Sequence, residues 1–215
     1  GDWSSDVCSS DLRDLLGCAQ TGTGKTASFT LPMIEILAHG RTRARMPRSL
    51  ILEPTRELAA QVSDQFETYG KYHKLTKALL IGGVSFEDQN KALDRGVDVL
   101  IATPGRLLDH AERGKVLLRD VKILVIDEAD RMLDMGFIHD VKKIVAALPQ
   151  QRQTLLFSAT MPDDIVGLAN RILREPVRVS VTPVSSTAER IEQWLLHVSK
   201  RSEEHTSELQ SPDHL

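Results

Sequence analysis

Apolar and polar residues alternate in blocks along this chain, and the block lengths predict strands that alternate with helices. Short, largely apolar runs typical of buried strands lie at residues 15–18, 49–53, 77–81, 97–102, 121–126, 154–157 and 177–181. Helical spacing follows at 27–37, 57–72, 86–93, 138–148 and 163–173, with shorter helices ending at residue 112 and near residue 132. This alternation predicts an α/β fold with a mostly parallel sheet and helices on both faces.

Six clusters of polar residues and glycines come directly after the predicted strands. They occupy residues 19–26, 54–57, 82–83, 103–106, 127–130 and 158–160. Ligands of open parallel sheets bind beyond the carboxyl ends of the strands, which meet at one edge. We therefore predict that the six clusters line one functional edge.

The first cluster has the composition of a phosphate-binding loop that leads into a helix. Glycines allow backbone N–H groups to turn inward, and the helix N-terminus and Lys25 add positive charge. The loop is predicted to bind the nucleotide through Ala19, Gln20, Thr21, Gly22, Thr23, Gly24, Lys25 and Thr26. The Thr26 hydroxyl is expected to bind Mg²⁺. Because Ala19 stands where the pattern usually begins with glycine, the loop alone leaves an ordinary glycine-rich turn open.

An acidic pair follows the most apolar of the predicted strands. An uncompensated carboxylate at Asp127 would be costly there, and a water-mediated contact with Mg²⁺ would account for it. Glu128, one residue further on, is the expected base or water-orienting group. We predict that Lys25, Asp127 and Glu128 form the catalytic group. The alternative is an acidic turn that caps the next helix.

Composition and the two ends limit what this chain can be. The formal charge of −3 does not indicate a general nucleic-acid binder, so any such site must be local. Outside the N-terminal end, the chain has no second cysteine that could form a disulfide with Cys18, which fits a cytoplasmic protein. No stretch of the sequence predicts a membrane span.

The two ends of the chain are related to each other. Residues 2–12 and 201–211 can be encoded by one adapter-like oligonucleotide in opposite orientations. We therefore expect residues 1–12 and 201–215 to be foreign and disordered, with the domain at 13–200.

Taken in order, the motifs closely resemble those of the first RecA-like domain of DEAD-box RNA helicases, with a bacterial character. Residues 54–59 read Pro-Thr-Arg-Glu-Leu-Ala, and 127–130 read Asp-Glu-Ala-Asp. The resemblance extends over residues 13–200 and implies ATP and Mg²⁺ as cofactors. It also implies that the upstream adenine-recognition segment is missing. The second RecA-like domain, which carries an arginine finger, would likewise be absent and would be this lobe's partner.

The resemblance also implies roles for residues outside the phosphate site. Asp130, Ser158 and Thr160 would couple the nucleotide state to the RNA state. Sequence-independent contacts with the RNA backbone are expected at Pro54, Thr55, Arg56, Gly83, Thr103, Pro104, Gly105 and Arg106. The simpler alternatives are turn and capping roles for the hydroxyls and a plain turn at residues 104–105. The arginines at 41, 43, 45 and 48 are expected to lie in a solvated loop, although they could broaden the RNA contact.

The leading hypothesis is therefore an ATP-dependent RNA helicase, represented by an N-terminal lobe that would not unwind RNA by itself. Two alternatives remain from the sequence. One is another P-loop ATPase, such as a DNA translocase. The other is an RNA-binding scaffold that works without nucleotide, which the intact Lys25, Thr26, Asp127 and Glu128 argue against.

Overall fold

One parallel β-sheet runs through the part of the chain that the computed structural model describes, residues 13–19, 23–39 and 46–180. Its strands are β1 (Leu15–Cys18), β2 (Ser49–Leu52), β3 (Lys77–Leu80), β4 (Val99–Ala102), β5 (Ile123–Ile126), β6 (Gln153–Ser158) and β7 (Val177–Ser180). Their spatial order is β3-β4-β2-β5-β6-β1-β7, and every recorded pairing is parallel. These residues belong to one compact unit, residues 1–183.

Helices cover both faces of the sheet. They are α1 (Lys25–Ala38), α2 (Arg56–Tyr69), α3 (Phe86–Asp94), α4 (Pro104–Glu112), α5 (Ala129–Asp134), α6 (Ile138–Ala146) and α7 (Asp163–Ile172). One apolar cluster joins α1 and α2 to one face, with Phe29 and Phe157 fully buried at its centre. A second cluster joins the other face to α3–α7. The predicted α/β class, with a mostly parallel sheet and helices on both faces, is confirmed.

Some element boundaries differ from the predicted ones. The run 97–102 becomes a strand only from Val99, and the carboxylate of the preceding Asp98 accepts hydrogen bonds from Arg48 and Thr76. Pro104 and Gly105 form the first turn of α4 instead of a plain turn. Proline suits this position because the first N–H groups of a helix need no acceptor within the helix.

Arg48 corrects the expected solvated arginine loop. Its side chain is buried, donates twice to Asp98 Oδ1 (Nε at 3.0 Å and Nη2 at 2.8 Å) and donates once to the Leu37 carbonyl at 2.7 Å. The sequence could not reveal this, because Asp98 is 50 residues away. The other three arginines, at 41, 43 and 45, lie outside the described residues.

Backbone hydrogen bonds extend the sheet ladder past the strand ends and keep the functional edge in register. Ala19 N donates to Ser158 O, Asp127 N to Leu52 O, and Thr103 N to Leu80 O, each at 3.1 Å. The loops after β1 to β6 therefore start side by side, as predicted. The predictions for residues 1–12, 20–22 and 181–215 fall outside the described residues, as does the end of the predicted last strand.

None of the helices in the described ranges has the length and hydrophobicity that a membrane span requires.

Candidate functional site

A buried ion pair lies at the carboxyl ends of β1 and β5. Lys25 is the first residue of α1, and its Nζ is 2.7 Å from Asp127 Oδ1 and 4.0 Å from Glu128 Oε1. The preceding Gly24 has φ of 82°, a left-handed conformation that glycine adopts without strain. The structure thus brings Lys25, Asp127 and Glu128 together beside a helix N-terminus. The helix N-terminus and the lysine are the groups there that attract a phosphate.

The nucleotide-loop residues are described only in part. Ala19 is buried, and Thr23, Gly24 and Thr26 lie at or beside the start of α1. Gln20, Thr21 and Gly22 lie outside the described residues. The structure therefore places the helix end of the predicted phosphate loop and leaves its centre undescribed.

Glu128 has an unusual backbone conformation for a residue with a side chain. Its φ of 49° and ψ of 52° are left-handed, at the position that precedes α5. Such a conformation costs about 1–3 kcal/mol and occurs most often at functional sites. The Glu128 amide donates to Asp127 Oδ1 at 2.8 Å, and Arg131 Nη1 lies 3.4 Å from Glu128 Oε2. These contacts hold the Glu128 carboxylate at the cavity with Lys25.

Glu53 is a residue of this site that the sequence reasoning missed. It is 1% exposed, and its Oε1 has no hydrogen-bond partner among the residues that the structure describes. Burial raises the pKa of Glu53 well above its usual value, and the charges of Asp127 and Glu128 raise it further against the opposing effect of Lys25. The signal was available, because Glu53 ends an apolar run just as Asp127 does, and the same cost of burial applies to both carboxylates.

The pKa of Asp127 is also subject to opposing effects. Burial raises its pKa, while the charge and hydrogen bond of Lys25 oppose the rise. A cation next to Asp127 is therefore needed to keep this carboxylate ionised. Among the described residues, no three His, Cys, Asp or Glu side chains form a ready-made metal site.

Asp130 meets both hydroxyl residues predicted to accompany it. Thr160 donates to Asp130 Oδ2 from its amide and from Oγ1, each at 2.8 Å, and Ser158 Oγ accepts from the Asp130 amide at 3.1 Å. Partial burial alone would raise the pKa of Asp130. The hydrogen bonds from Thr160 and from the Arg131 amide outweigh burial and hold this pKa below its usual value. The three residues thus join the start of α5 to the loop after β6.

The start of α2 meets the double-glycine loop. Thr55 caps α2 by accepting from the Leu58 amide at 3.3 Å. Arg56 reaches across to Gly82 O at 3.5 Å, and its guanidinium occupies the place that a side chain at Gly83 would need. Gly83 also has φ of 79°, so both space and backbone conformation favour glycine. Arg56 is exposed at the sheet edge, as a phosphate contact requires.

Arg106 is held within the protein by residues that the sequence did not single out. Its Nε donates to Gln89 Oε1 at 3.0 Å, its Nη2 donates to Val84 O at 2.5 Å, and its guanidinium lies 3.3 Å from the centre of the Phe86 ring. His110 Nε2 donates to the same Gln89 oxygen at 2.8 Å. Arg106 therefore links α4 to the β3–α3 loop, and part of its hydrogen-bonding capacity is used there.

Two of the predicted RNA contacts, Pro54 and Pro104, have buried side chains. Each directs the chain from a strand into a helix. Thr103 and Gly105 remain partly exposed at the start of α4.

Cavity size alone does not identify the functional site. The cavity that contains Lys25 and Asp127 measures about 350 Å³. A larger cavity, of about 860 Å³, lies among residues that precede β1, β5 and β6, including Arg13, Lys122 and Arg152. This larger cavity contains none of the six polar clusters, so the chemistry selects the smaller one.

Comparison with known proteins identifies the family of the chain. Residues 5–167 match the family model described as DEAD/DEAH box helicase. The chain is 44% identical over 193 residues to ATP-dependent RNA helicase DeaD of Haemophilus influenzae, covering 88% of this chain and 31% of the relative. It is 42% identical over 189 residues to DEAD-box ATP-dependent RNA helicase CshA of Geobacillus kaustophilus, covering 88% and 40%. The chain thus spans well under half the length of these relatives.

Solved structures share the fold as well as the sequence. A DEAD box protein from the hyperthermophile Methanococcus jannaschii is 41% identical with a TM-score of 0.74, covering 79% of this chain and 46% of that one. The yeast DEAD-box splicing factor Prp28 is 34% identical with a TM-score of 0.74, covering 79% and 42%.

Proposed function

The chain belongs to the DEAD/DEAH box helicase family, and on that premise we propose that it is the nucleotide-binding lobe of an ATP-dependent RNA helicase. The observation that carries this proposal is the buried pair of Lys25 and Asp127, at 2.7 Å, beside the N-terminus of α1. A lysine, a helix N-terminus and two carboxylates on one sheet edge match the needs of phosphoryl transfer, which depends on positioning and charge neutralisation.

Four residues have distinct tasks in this proposal. Lys25 would bind the phosphates of ATP in place of Asp127, and Thr26 and Asp127 would hold Mg²⁺. When bound, Mg²⁺ neutralises negative charge on the phosphates. Glu128 orients the attacking water and accepts its proton, a task that its fixed left-handed backbone and its contact with Arg131 support.

The same edge of the sheet supports contacts with the RNA backbone. Exposed Arg56 and the first turns of α2 and α4 offer a guanidinium and helix N–H groups, which recognise phosphates without reading bases. We propose that Thr55, Gly83, Thr103 and Gly105 contribute close backbone contacts. Asp130, Ser158 and Thr160 would then link α5, next to Glu128, with the loop after β6. Coupling between nucleotide and RNA would pass through these three residues.

Calorimetry on the 215-residue chain tests the nucleotide site. Lys25→Ala should weaken binding of ATP with Mg²⁺ by about 10-fold or more, because a charged hydrogen-bond donor to the phosphates is lost. Glu128→Gln should leave the affinity nearly unchanged, since its partner is the attacking water. Lys91→Ala, an exposed change on α3, serves as the control. Equal losses in the Lys25 and Glu128 variants would contradict these roles.

Competition binding separates RNA helicase from the alternatives. Single-stranded RNA and DNA of the same sequence should compete unequally for the chain, with RNA bound more tightly and with little dependence on base sequence. A preference for DNA would favour a translocase. An RNA affinity that changes neither when ATP is added nor in Lys25→Ala would favour a scaffold that works without nucleotide.

A further inference from the structure

The Glu53 carboxyl group is buried at the nucleotide site without the hydrogen bonds that a buried carboxyl normally makes. It is 1% exposed, and Oε1 has no partner among the described residues. The residue lines the same cavity of about 350 Å³ as Lys25, Thr26 and Asp127. A buried polar atom without a partner is costly, so it indicates a group that the protein alone does not supply.

The sheet register places this carboxyl beside that of Asp127. Leu52 pairs with Ile126, so Glu53 and Asp127 are the next residues on two adjacent parallel strands. The bond from Asp127 N to Leu52 O continues the ladder to this point. Ile51 and Val125, two residues earlier on each strand, both pack against α1 and α2. Glu53 and Asp127 therefore leave the sheet on the same face, into the same cavity.

The charges in the cavity are unbalanced once a nucleotide binds. Its described lining contains three carboxyl groups, of Glu53, Asp127 and Glu128, and Lys25 as the basic side chain. Lys25 is occupied by Asp127 in this structure. When Lys25 turns to the phosphates of ATP, the two neighbouring carboxyls lose their cation. A hydrated divalent cation would supply both the missing charge and the water O–H donors that the unpaired oxygen lacks.

We propose that Glu53 belongs to the metal site and that its carboxylate accepts hydrogen bonds from water bound to the divalent cation, next to Asp127. This inference rests on the proposed nucleotide site and adds a residue to it. Glu53 acts through the metal-bound water and not on the phosphates directly, so it is a positioning residue. Groups that orient metal ligands in this way commonly contribute about 10- to 100-fold to metal affinity.

The competing explanation is that Glu53 only supports the packing of α2 against the sheet. Glu53→Gln distinguishes the two, because glutamine keeps the shape but replaces the carboxylate by a neutral amide. Glu53→Asp keeps the negative charge on a shorter side chain. It therefore separates the loss of the carboxylate from the effect of any substitution at this position. Glu57→Gln is the matched control, since the Glu57 side chain is 72% exposed on α2.

The experiment measures the affinity of the full 215-residue chain for the fluorescent nucleotide mant-ADP, once in EDTA and once with Mg²⁺. The ratio of the two dissociation constants reports the contribution of the metal and needs no turnover. We expect Glu53→Gln to lower this ratio about 10-fold with the affinity in EDTA unchanged. Glu53→Asp should give an intermediate ratio, and Glu57→Gln should match the unaltered chain. Thermal unfolding of each variant shows that it is folded.

An unchanged ratio in Glu53→Gln would overturn the metal role and leave the nucleotide site standing. Equal loss of affinity in EDTA and in Mg²⁺ would overturn it in favour of packing. If the unaltered chain binds mant-ADP under neither condition, the proposed nucleotide site itself is wrong and this inference falls with it. That result differs from the first, in which the unaltered chain binds and responds to Mg²⁺.

Discussion

At the residue scale, four carboxylates on one sheet edge differ through their surroundings. Asp127 has a lysine at 2.7 Å, and Glu53 beside it has an oxygen with no hydrogen-bond partner in the described part of the chain. Glu128 is held by a strained backbone and by Arg131. Asp130 receives two hydrogen bonds from Thr160. Burial raises the pKa of Asp127 and of Glu53, whereas hydrogen bonds outweigh burial and lower the pKa of Asp130, so residue type alone does not assign a role.

Replacing Thr160 by valine tests the contacts of Asp130. The substitution keeps the side-chain shape and removes the hydroxyl that donates to Asp130 Oδ2, so the pKa of Asp130 should rise towards its usual value of about 4. Carboxyl NMR titration of the chain measures this pKa. Thr68→Val, which removes an exposed hydroxyl bonded to Asp64 O, is the control.

The sign of the stability effect follows from linkage. The pKa of Asp130 is lower in the folded state, so its contribution to stability is complete above the unfolded value of about 4 and is lost as pH falls through the folded value. Thr160→Val should therefore be less stable than the unaltered chain at pH 7, and the difference should shrink in acid. A difference that stays constant with pH would mean that packing, not the Asp130 hydrogen bond, was lost.

At the element scale, α3 and α4 are joined by a cluster that fixes the loops on the proposed RNA side. Gln89 Nε2 donates to Ile81 O at 2.8 Å, while its Oε1 accepts from Arg106 and from His110. Phe86 packs against the His110 ring at 4.8 Å and against the Arg106 guanidinium. Gln89 thus joins the end of β3 to α4, and Arg106 depends on the cluster for its orientation.

Acid should weaken this cluster through His110. Burial, together with the charges of Arg106 and Arg113, lowers the pKa of His110, and its Nδ1 is buried with no hydrogen-bond partner within the described ranges. A histidine with a lowered folded pKa contributes fully above its unfolded value of about 6.5 and loses that contribution as pH falls below it. We expect the free energy of unfolding to drop more between pH 7.5 and 5.5 in the unaltered chain than in His110→Gln.

Urea unfolding at the two pH values measures this difference. Glutamine keeps a donor for Gln89 and cannot titrate, so His110→Gln removes the proton uptake while retaining the contact. His139→Gln, which replaces an exposed histidine on α6, is the control. Equal pH dependence in the unaltered chain and in His110→Gln would show that His110 does not titrate in this range.

At the scale of the whole molecule, one sheet edge gathers the proposed functional groups that lie within the described residues. Six loops that start at the carboxyl ends of parallel strands bring together residues up to 141 positions apart, as the contact of Cys18 with Ala159 illustrates. The chain spans 31% of one curated relative and 40% of another. We propose that a second lobe of the same protein completes the ATP and RNA sites.

The 215-residue chain alone should therefore bind nucleotide weakly and fail to separate an RNA duplex. An arginine supplied from outside the nucleotide lobe is worth about 10³–10⁵ in rate in related phosphoryl-transfer systems. A strand-displacement assay measures this, with full-length CshA of Geobacillus kaustophilus, 42% identical to the chain, as the positive control. Strand separation at the rate of the control would refute the need for a second lobe.

Removal of residues 1–12 and 201–215 should leave mant-ADP affinity unchanged.

The sequence by itself determined the parallel α/β fold and the functional edge. Both follow from local information, because apolar run lengths set the strands and the polar clusters mark where each strand ends. It also led to the prediction that Lys25 binds phosphates, and it selected Asp127 from the cost of a carboxylate after an apolar strand.

Only the tertiary structure decided which distant residues become partners. In the structure, Arg48 binds Asp98, Pro104 lies in the first turn of a helix, and Arg106 links α4 to the β3–α3 loop. It also placed Glu53 beside Asp127, since their strands are adjacent in space and far apart in sequence. Pairings of this kind depend on strand order and register. These pairings cannot be predicted from the local sequence, because the effects of burial and charge arise between residues that only folding brings together.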